Sequence, residues 1–308
     1  LEGGQWNQIG LNGGEGTLHV LGLGSQAVFA RGSLTVGNAA AGGLLVGMGG
    51  SLLARQLNVG SSQAGRPERG MGSVTLEGVG SVITLNNPDG HRLALGDWGG
   101  GGLLVRNGAL LDGMSANAAV CAGRWCGSLI GHAAGSDASL VVTGAGSEAR
   151  LLGQMVVGGT QRNAVASDGW DFGSPNGVTH ARIEVLAGGR LVNEWVDLGG
   201  WHPRAAHLNE QSFADVVVSG AGSTWSMRGS ALGGNDAVLA MGTQQRSTTT
   251  LTVSQGGLVQ LQAPDARSAG LYLSTGQGKS HVTLSDSGTR LELKGVNANV
   301  SVGASGGG

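Results

Sequence analysis

Short apolar-x-apolar triplets run the length of the chain, each followed by a turn rich in Gly. One kind of triplet leads into Gly-x-Gly-Ser. It reads Leu18-His19-Val20 with Gly22-Leu23-Gly24-Ser25, then Val74-Thr75-Leu76 with Gly78-Val79-Gly80-Ser81, Leu140-Val141-Val142 with Gly144-Ala145-Gly146-Ser147, and Val216-Val217-Val218 with Gly220-Ala221-Gly222-Ser223. A fifth, divergent copy is Val282-Thr283-Leu284 with Asp286-Ser287-Gly288-Thr289. The steps between first turn positions are 56, 66, 76 and 66 residues. Each copy is followed by an apolar-Gly stop, at Val36-Gly37, Leu95-Gly96, Val157-Gly158, Leu232-Gly233 and Val302-Gly303. A second kind of triplet follows the first four stops: Leu44-Leu45-Val46, Leu103-Leu104-Val105, Ile183-Glu184-Val185 and Leu251-Thr252-Val253. A period of two marks strands with one buried face. Strands this short are unstable as isolated hairpins. Gly, Asn, Asp and Ser between them supply corners at positive φ.

Elements that recur in fixed order at this period predict an all-β, right-handed parallel β-helix (a β-solenoid). About 20 triplets, roughly four to a unit and two coils to a unit, give roughly ten coils and a rod near 50 Å long at about 4.8 Å per coil. Residues 1–308 read as one β-helical fragment of about five two-coil units, with loop insertions near 159–180 and 199–213. Leu44, Val46, Val253, Leu271 and Leu273 are expected to point inward, and Leu45, Thr252 and Tyr272 outward. Trp225 aligns with Ala27, Ile83, Ala149 and Leu291, which predicts a core position.

Composition supports a packed rod. Of 308 residues 62 are Gly, about 20 % against a usual ~7 %, yet Pro is only 5, which excludes collagen. Hydrophobic residues are 40 %, too many for a disordered linker. The net charge of −2 leaves no footprint for nucleic acid, and no apolar run is long enough for direct membrane insertion. The start at Leu1 and the end at Ala304–Gly308 read as cuts through a longer chain. Cys121 and Cys126, in Cys-Ala-Gly-Arg-Trp-Cys, are predicted to close a small local disulfide loop in an oxidising compartment.

The fourth copy, Val216 to Trp225, with Leu232-Gly233 and Thr250-Leu251-Thr252-Val253-Ser254-Gln255-Gly256-Gly257, resembles the repeat shared by autotransporter (type V secretion) passengers and PEP-CTERM-associated surface proteins. The resemblance runs from about Glu15 to Gly303. It implies a secreted β-helical passenger on a Gram-negative cell surface, held at the outer membrane through a region outside this sequence. It further implies an adhesin or self-association module that acts by binding. The implied partner is a host-surface or sibling-cell protein or glycan, or a second copy. Inserted loops in the third and fourth units depart from the pattern, and no translocator barrel lies within these residues. The family supplies no catalytic residues to carry over.

Candidate chemistry is sparse. Gly278-Lys279-Ser280 mimics the end of a P-loop, but Leu273 stands where its first Gly is required. His202 and His207 share a loop without an evident third ligand, so no metal and no cofactor are expected. The alternative reading is a polysaccharide lyase or glycoside hydrolase, which needs paired carboxylates beside a basic residue. Asp168 and Asp171, flanked by Arg162 and Arg182, are the candidates for it. The repeat does not account for Arg162, Asp168, Trp170, Asp171, Phe172, Trp201, His202, Arg204, His207 and Phe213. These aromatic and charged residues make the two insertions the predicted binding surface.

Overall fold

The computed structural model describes residues 4, 6–61, 70–87, 90–114, 126–132, 135–151, 153–159, 178–200, 211–229, 236–244, 246–264, 267–276 and 278–303. No helix occurs among them. They form a parallel β-solenoid whose coils each carry three strand positions. The front row contains β2 (Gly16–Leu21), β4 (Ala41–Gly47), β6 (Met71–Glu77), β9 (Gly100–Arg106), β12 (Asp137–Thr143), β15 (Val178–Leu186), β18 (Gln211–Ser219), β21 (Ser247–Ser254) and β24 (Lys279–Leu284). Every neighbouring pair in this row is parallel.

The other 17 strands make one large sheet that folds into a second and a third row. Both triplet kinds of the sequence lie in the front row and alternate there. β3 (Gln26–Asn38) and β5 (Ser51–Ser61) each run through the second row and on into the third. In later coils the second row is β7 (Val82–Leu85), β10 (Leu110–Gly113), β13 (Glu148–Leu151), β16 (Arg190–Asn193), β19 (Thr224–Arg228), β22 (Leu258–Gln262) and β25 (Arg290–Lys294). The third row begins with β1 (Trp6–Leu11) and continues as β8 (Gly90–Leu95), β11 (Cys126–Ile130), β14 (Gln154–Val157), β17 (Trp195–Leu198), β20 (Ala237–Met241), β23 (Ser268–Leu273) and β26 (Asn297–Val302). The nine front strands define nine coils, and β1 belongs to a tenth.

Three strand positions per coil give six per two coils, where the sequence pattern shows about four. The third row is the one hidden. Its middle strands are buried on both faces, as in Gln154–Val157, so they lack the alternation that marks a half-buried strand. The stop expected at Leu232-Gly233 lies outside the described residues, and the stop of that coil is Met241-Gly242, with Met241 paired to Leu198. Both insertions are also shorter at their far ends than expected. β15 begins at Val178 and β18 at Gln211, in register with each other, so His180 and Phe213 belong to the ladder.

Register turns the core into files of stacked side chains. One file in the second row is Ala27, Leu52, Ile83, Leu111, Ala149, Leu191, Trp225, Val259 and Leu291. Trp225 is fully buried, as its alignment requires. Its indole Nε1 donates to Asn193 Oδ1 at 2.7 Å, so the Asn inside the rod is satisfied. Leu44, Val46, Val253 and Leu271 are buried, Leu273 packs against the core, and Leu45, Thr252 and Tyr272 are half-buried on the outside.

The corner between the first two rows shows why the repeat spans two coils. In alternate coils the turn is Gly-x-Gly-Ser, closed by Ser25, Ser81, Ser147 and Ser223 N–H groups on the carbonyls of Gly22, Gly78, Gly144 and Gly220. In the intervening coils Met48, Asn107, Ala187 and Gln255 sit at positive φ ahead of a Gly. That Gly N–H points at the next coil, where the turn Ser receives it. Gly49 donates to Ser81 Oγ at 2.9 Å, Gly108 to Ser147 Oγ at 3.0 Å, Gly188 to Ser223 Oγ at 3.0 Å, and Gly256 to Thr289 Oγ1 at 3.1 Å. Ser81, Ser147 and Ser223 are fully buried, and each hydroxyl accepts from a half-buried Gly N–H of the neighbouring coil. At the opposite corner the apolar-Gly stop serves packing. Gly37 and Gly60 have φ of 76° and 71°, and a Cβ on either would strike the carbonyl of Met71 or Gly100.

Ser223 tests this corner. Its Oγ also donates to the Ser219 carbonyl at 2.7 Å. Ser223→Ala should lower stability by about 0.5–1.5 kcal/mol, because it takes the acceptor from the half-buried Gly188 N–H. Ser223→Thr should cost less, since Thr289 already fills the equivalent place. Denaturant midpoints compare the two, and equal losses would remove the hydroxyl from the explanation.

Candidate functional site

Most of the predicted binding residues, Arg162, Asp168, Trp170, Asp171, Phe172, Trp201, His202, Arg204 and His207, lie outside the described residues. So does Cys121, the first half of the predicted disulfide, while the Cys126 main chain opens β11 opposite Gly90. Two residues at the insertion borders are described. Phe213 stacks on His180 from the neighbouring coil, with ring centroids 5.0 Å apart and planes 8° from parallel. Arg182 pairs with Glu184 on its own strand at 2.7 Å, on the exposed side of the row.

A polar seam that the sequence reading missed runs along the third row. Outward positions of this row form the file Ala94, Leu129, Val156, Asp197 and Ala240. All five are buried, and the first three make a small apolar cluster outside the solenoid core. Asp197, 1 % exposed, accepts hydrogen bonds from Gln154 Nε2 and from Trp195 Nε1. Burial pushes its carboxyl up to about 7, against the pull of these two donors.

Two further groups belong to the same region. Arg92, also 1 % exposed, is the residue at the register shift where β8 meets β11. It donates from Nε to the Asn87 carbonyl at 2.8 Å and from Nη1 to the Gly113 carbonyl. Burial lowers its pKa, and Glu194 and Asp112 oppose that. His132 is buried with Nε2 3.3 Å from Asp97 Oδ1, and burial holds the imidazole toward its neutral form. Closed to solvent, Asp197 acts as an acceptor that fixes Gln154 and Trp195. In sequence it is one Asp among apolar neighbours, and its burial follows only from the third row. Among the described residues no three His, Cys, Asp or Glu side chains are grouped to hold a metal ion.

The outer face of the front row is different in kind. Its middle file is His19, Leu45, Thr75, Leu104, Val141, Glu184, Val217, Thr252 and Thr283. Beside Leu45, Thr75, Leu104 and Val141 stand Gly43, Ser73, Gly102 and Ser139, which keep that side of the face flat. Part of the charge along the row is paired within it. Arg106 meets Glu77 at 2.6 Å across coils, and Asp215 accepts from Thr250 Oγ1 at 2.5 Å.

No family model matches the chain, and no curated protein matches it. Among solved structures it is similar to the TibC-catalysed hyper-glycosylated TibA fragment, at 15 % identity and a TM-score of 0.21, over 97 % of this chain and 100 % of that one. A superposition that loose carries no argument about fold or function.

Asp197 makes a pH prediction. Its folded carboxyl titrates near 7 and its unfolded one near 3.8, so the folded state holds the extra proton between these values. Stability should therefore fall as pH rises from about 4 to 7 and level off above that. Asp197→Asn should remove this slope and be the more stable protein at pH 8, by an amount on the order of a few kcal/mol at most. Denaturant midpoints at pH 5 and pH 8 check it, and parallel profiles for parent and variant would contradict it.

Proposed function

We propose that this chain is an adhesive module of a secreted bacterial surface protein, working by binding and self-association rather than by turnover, with the front row as its contact face. The observation that carries the reading is the middle file of that row, where Leu45, Leu104, Val141 and Val217 stand outward on a regular nine-stranded sheet and Glu184 is the lone carboxylate. Partly exposed apolar side chains in line on a regular face suit contact with a like surface. Nine strands at about 4.8 Å and about 20 Å of strand length present roughly 800–900 Å², near the ~800 Å² per partner of a standard interface. The surface location rests on the solenoid and on the resemblance of its repeats to those of autotransporter passengers. The insertions, with Arg162, Asp168, Trp170, Asp171, Phe172, Trp201, His202 and Arg204, are the second place where a host-surface or sibling-cell protein or glycan would be held.

Charge on the front face decides between these surfaces. Val141→Lys with Val217→Lys should leave the β circular dichroism unchanged and shift a concentration-dependent oligomer toward monomer in sedimentation experiments. Replacing 160–177 and 201–210 with short Gly-Asn turns should leave association intact. A parent chain that stays monomeric at high concentration, or a double Lys variant that associates as before, overturns the front-face reading. Loss of association in the turn replacements alone would move the contact to the insertions.

A further inference from the structure

The corner between the second and third rows opens into a groove in the first coils. Between Phe29 and Ser33, paired to Ala54 and Gln56, three residues of one coil face a single residue of the next. This bulge turns Arg31 out beside Arg55, one coil apart. The groove measures about 300 Å³ and is lined by Trp6, Arg31, Ser33, Arg55, Gln56 and Asn87.

Its chemistry is one-sided. Arg31 is exposed and makes no ion pair or side-chain hydrogen bond among the described residues. Arg55 Nη2 donates to Asn87 Oδ1 at 3.1 Å, which fixes its guanidinium at the wall without neutralising it. Asn87 is held in turn, its N–H donating to the Arg55 carbonyl at 2.9 Å and its own carbonyl accepting from buried Arg92. No carboxylate belongs to the described lining. The Trp6 indole stands at the rim, 78 % exposed, with its strand anchored by Asn7 Nδ2 on the Ser33 carbonyl at 3.2 Å.

We propose that this groove binds a carboxylated saccharide. Two guanidiniums supply forked donors for a carboxylate, which an ammonium or a neutral amide would not. An open indole face takes the apolar face of a pyranose ring, and Ser33 lines the groove with a hydroxyl partner. The volume lies at the low end for small-ligand sites, which suits one or two sugar units at a time. The groove is separate from the front face, so it adds a ligand to the module without depending on self-association.

Isothermal titration of the whole chain with four probes tests it: trigalacturonate, 3′-sialyllactose, maltotriose and inorganic phosphate. Saturable binding of trigalacturonate supports a uronate within a chain, and of sialyllactose a terminal acidic sugar. Maltotriose should not bind. Arg31→Gln, which removes no ion pair or hydrogen bond among the described residues, should weaken binding by about tenfold, and Trp6→Ala similarly. The Val141→Lys, Val217→Lys protein should bind as the parent does, which separates this site from the front face. The proposal is overturned if maltotriose binds as well as the acidic sugars, if phosphate matches them, if neither acidic sugar saturates, or if Arg31→Gln binds unchanged.

Discussion

Parallel backbone pairing from coil to coil is the constraint from which the rest of the molecule follows. Each front strand lies in register between the strands above and below it, as Leu44 does between Leu18 and Val74. A parallel ladder has no hairpin to set its register, so side chains and corners must do so. Stacking then makes every inward position one file, and a residue is acceptable only if it fits the file. Trp225 shows the tolerance of this rule. It enters a file of Ala, Leu, Ile and Val, and Asn193 in the next coil receives its indole N–H.

Corners carry the second demand, because a turning chain exposes donors that the ladder cannot use. The Ser hydroxyls of alternate coils answer the Gly N–H groups of the coils between them. A lone coil cannot meet this need and a pair can, which explains a unit that spans two coils. Glycine at the stop meets a steric need of the same origin, since the next coil's carbonyl sits where a side chain would begin. A charge content of only 12 % fits such a design, because the surface is largely backbone turns and small polar residues.

Individual features gather where the repeat is broken. Arg31 stands in one register shift and Arg92 in another. Asp197 sits beside the coil ends from which the insertions depart, buried among apolar outward positions. Regular coils supply length and a uniform face; irregular corners supply single side chains that no neighbour repeats. The front face and the Arg31–Arg55 groove divide along this line, one made by repetition and the other by its interruption.

The sequence by itself determined the strands of the front row, the two-coil period and the inward files. Local alternation and Gly spacing are written in the chain, and Leu44, Val46, Val253 and Trp225 lie where they place them. It did not reveal the third row as a separate strand position, since strands buried on both faces carry no alternation. Nor did it show that His180 and Phe213 lie in a ladder rather than in loops, because register with a neighbouring coil is a property of the pair. The seam at Asp197 and the groove at Arg31 and Arg55 were decided only by tertiary structure. Their residues are 24 to 43 positions apart in sequence, as with Arg31 and Arg55 or Gln154 and Asp197, and only coil-on-coil stacking brings them to one corner or one face.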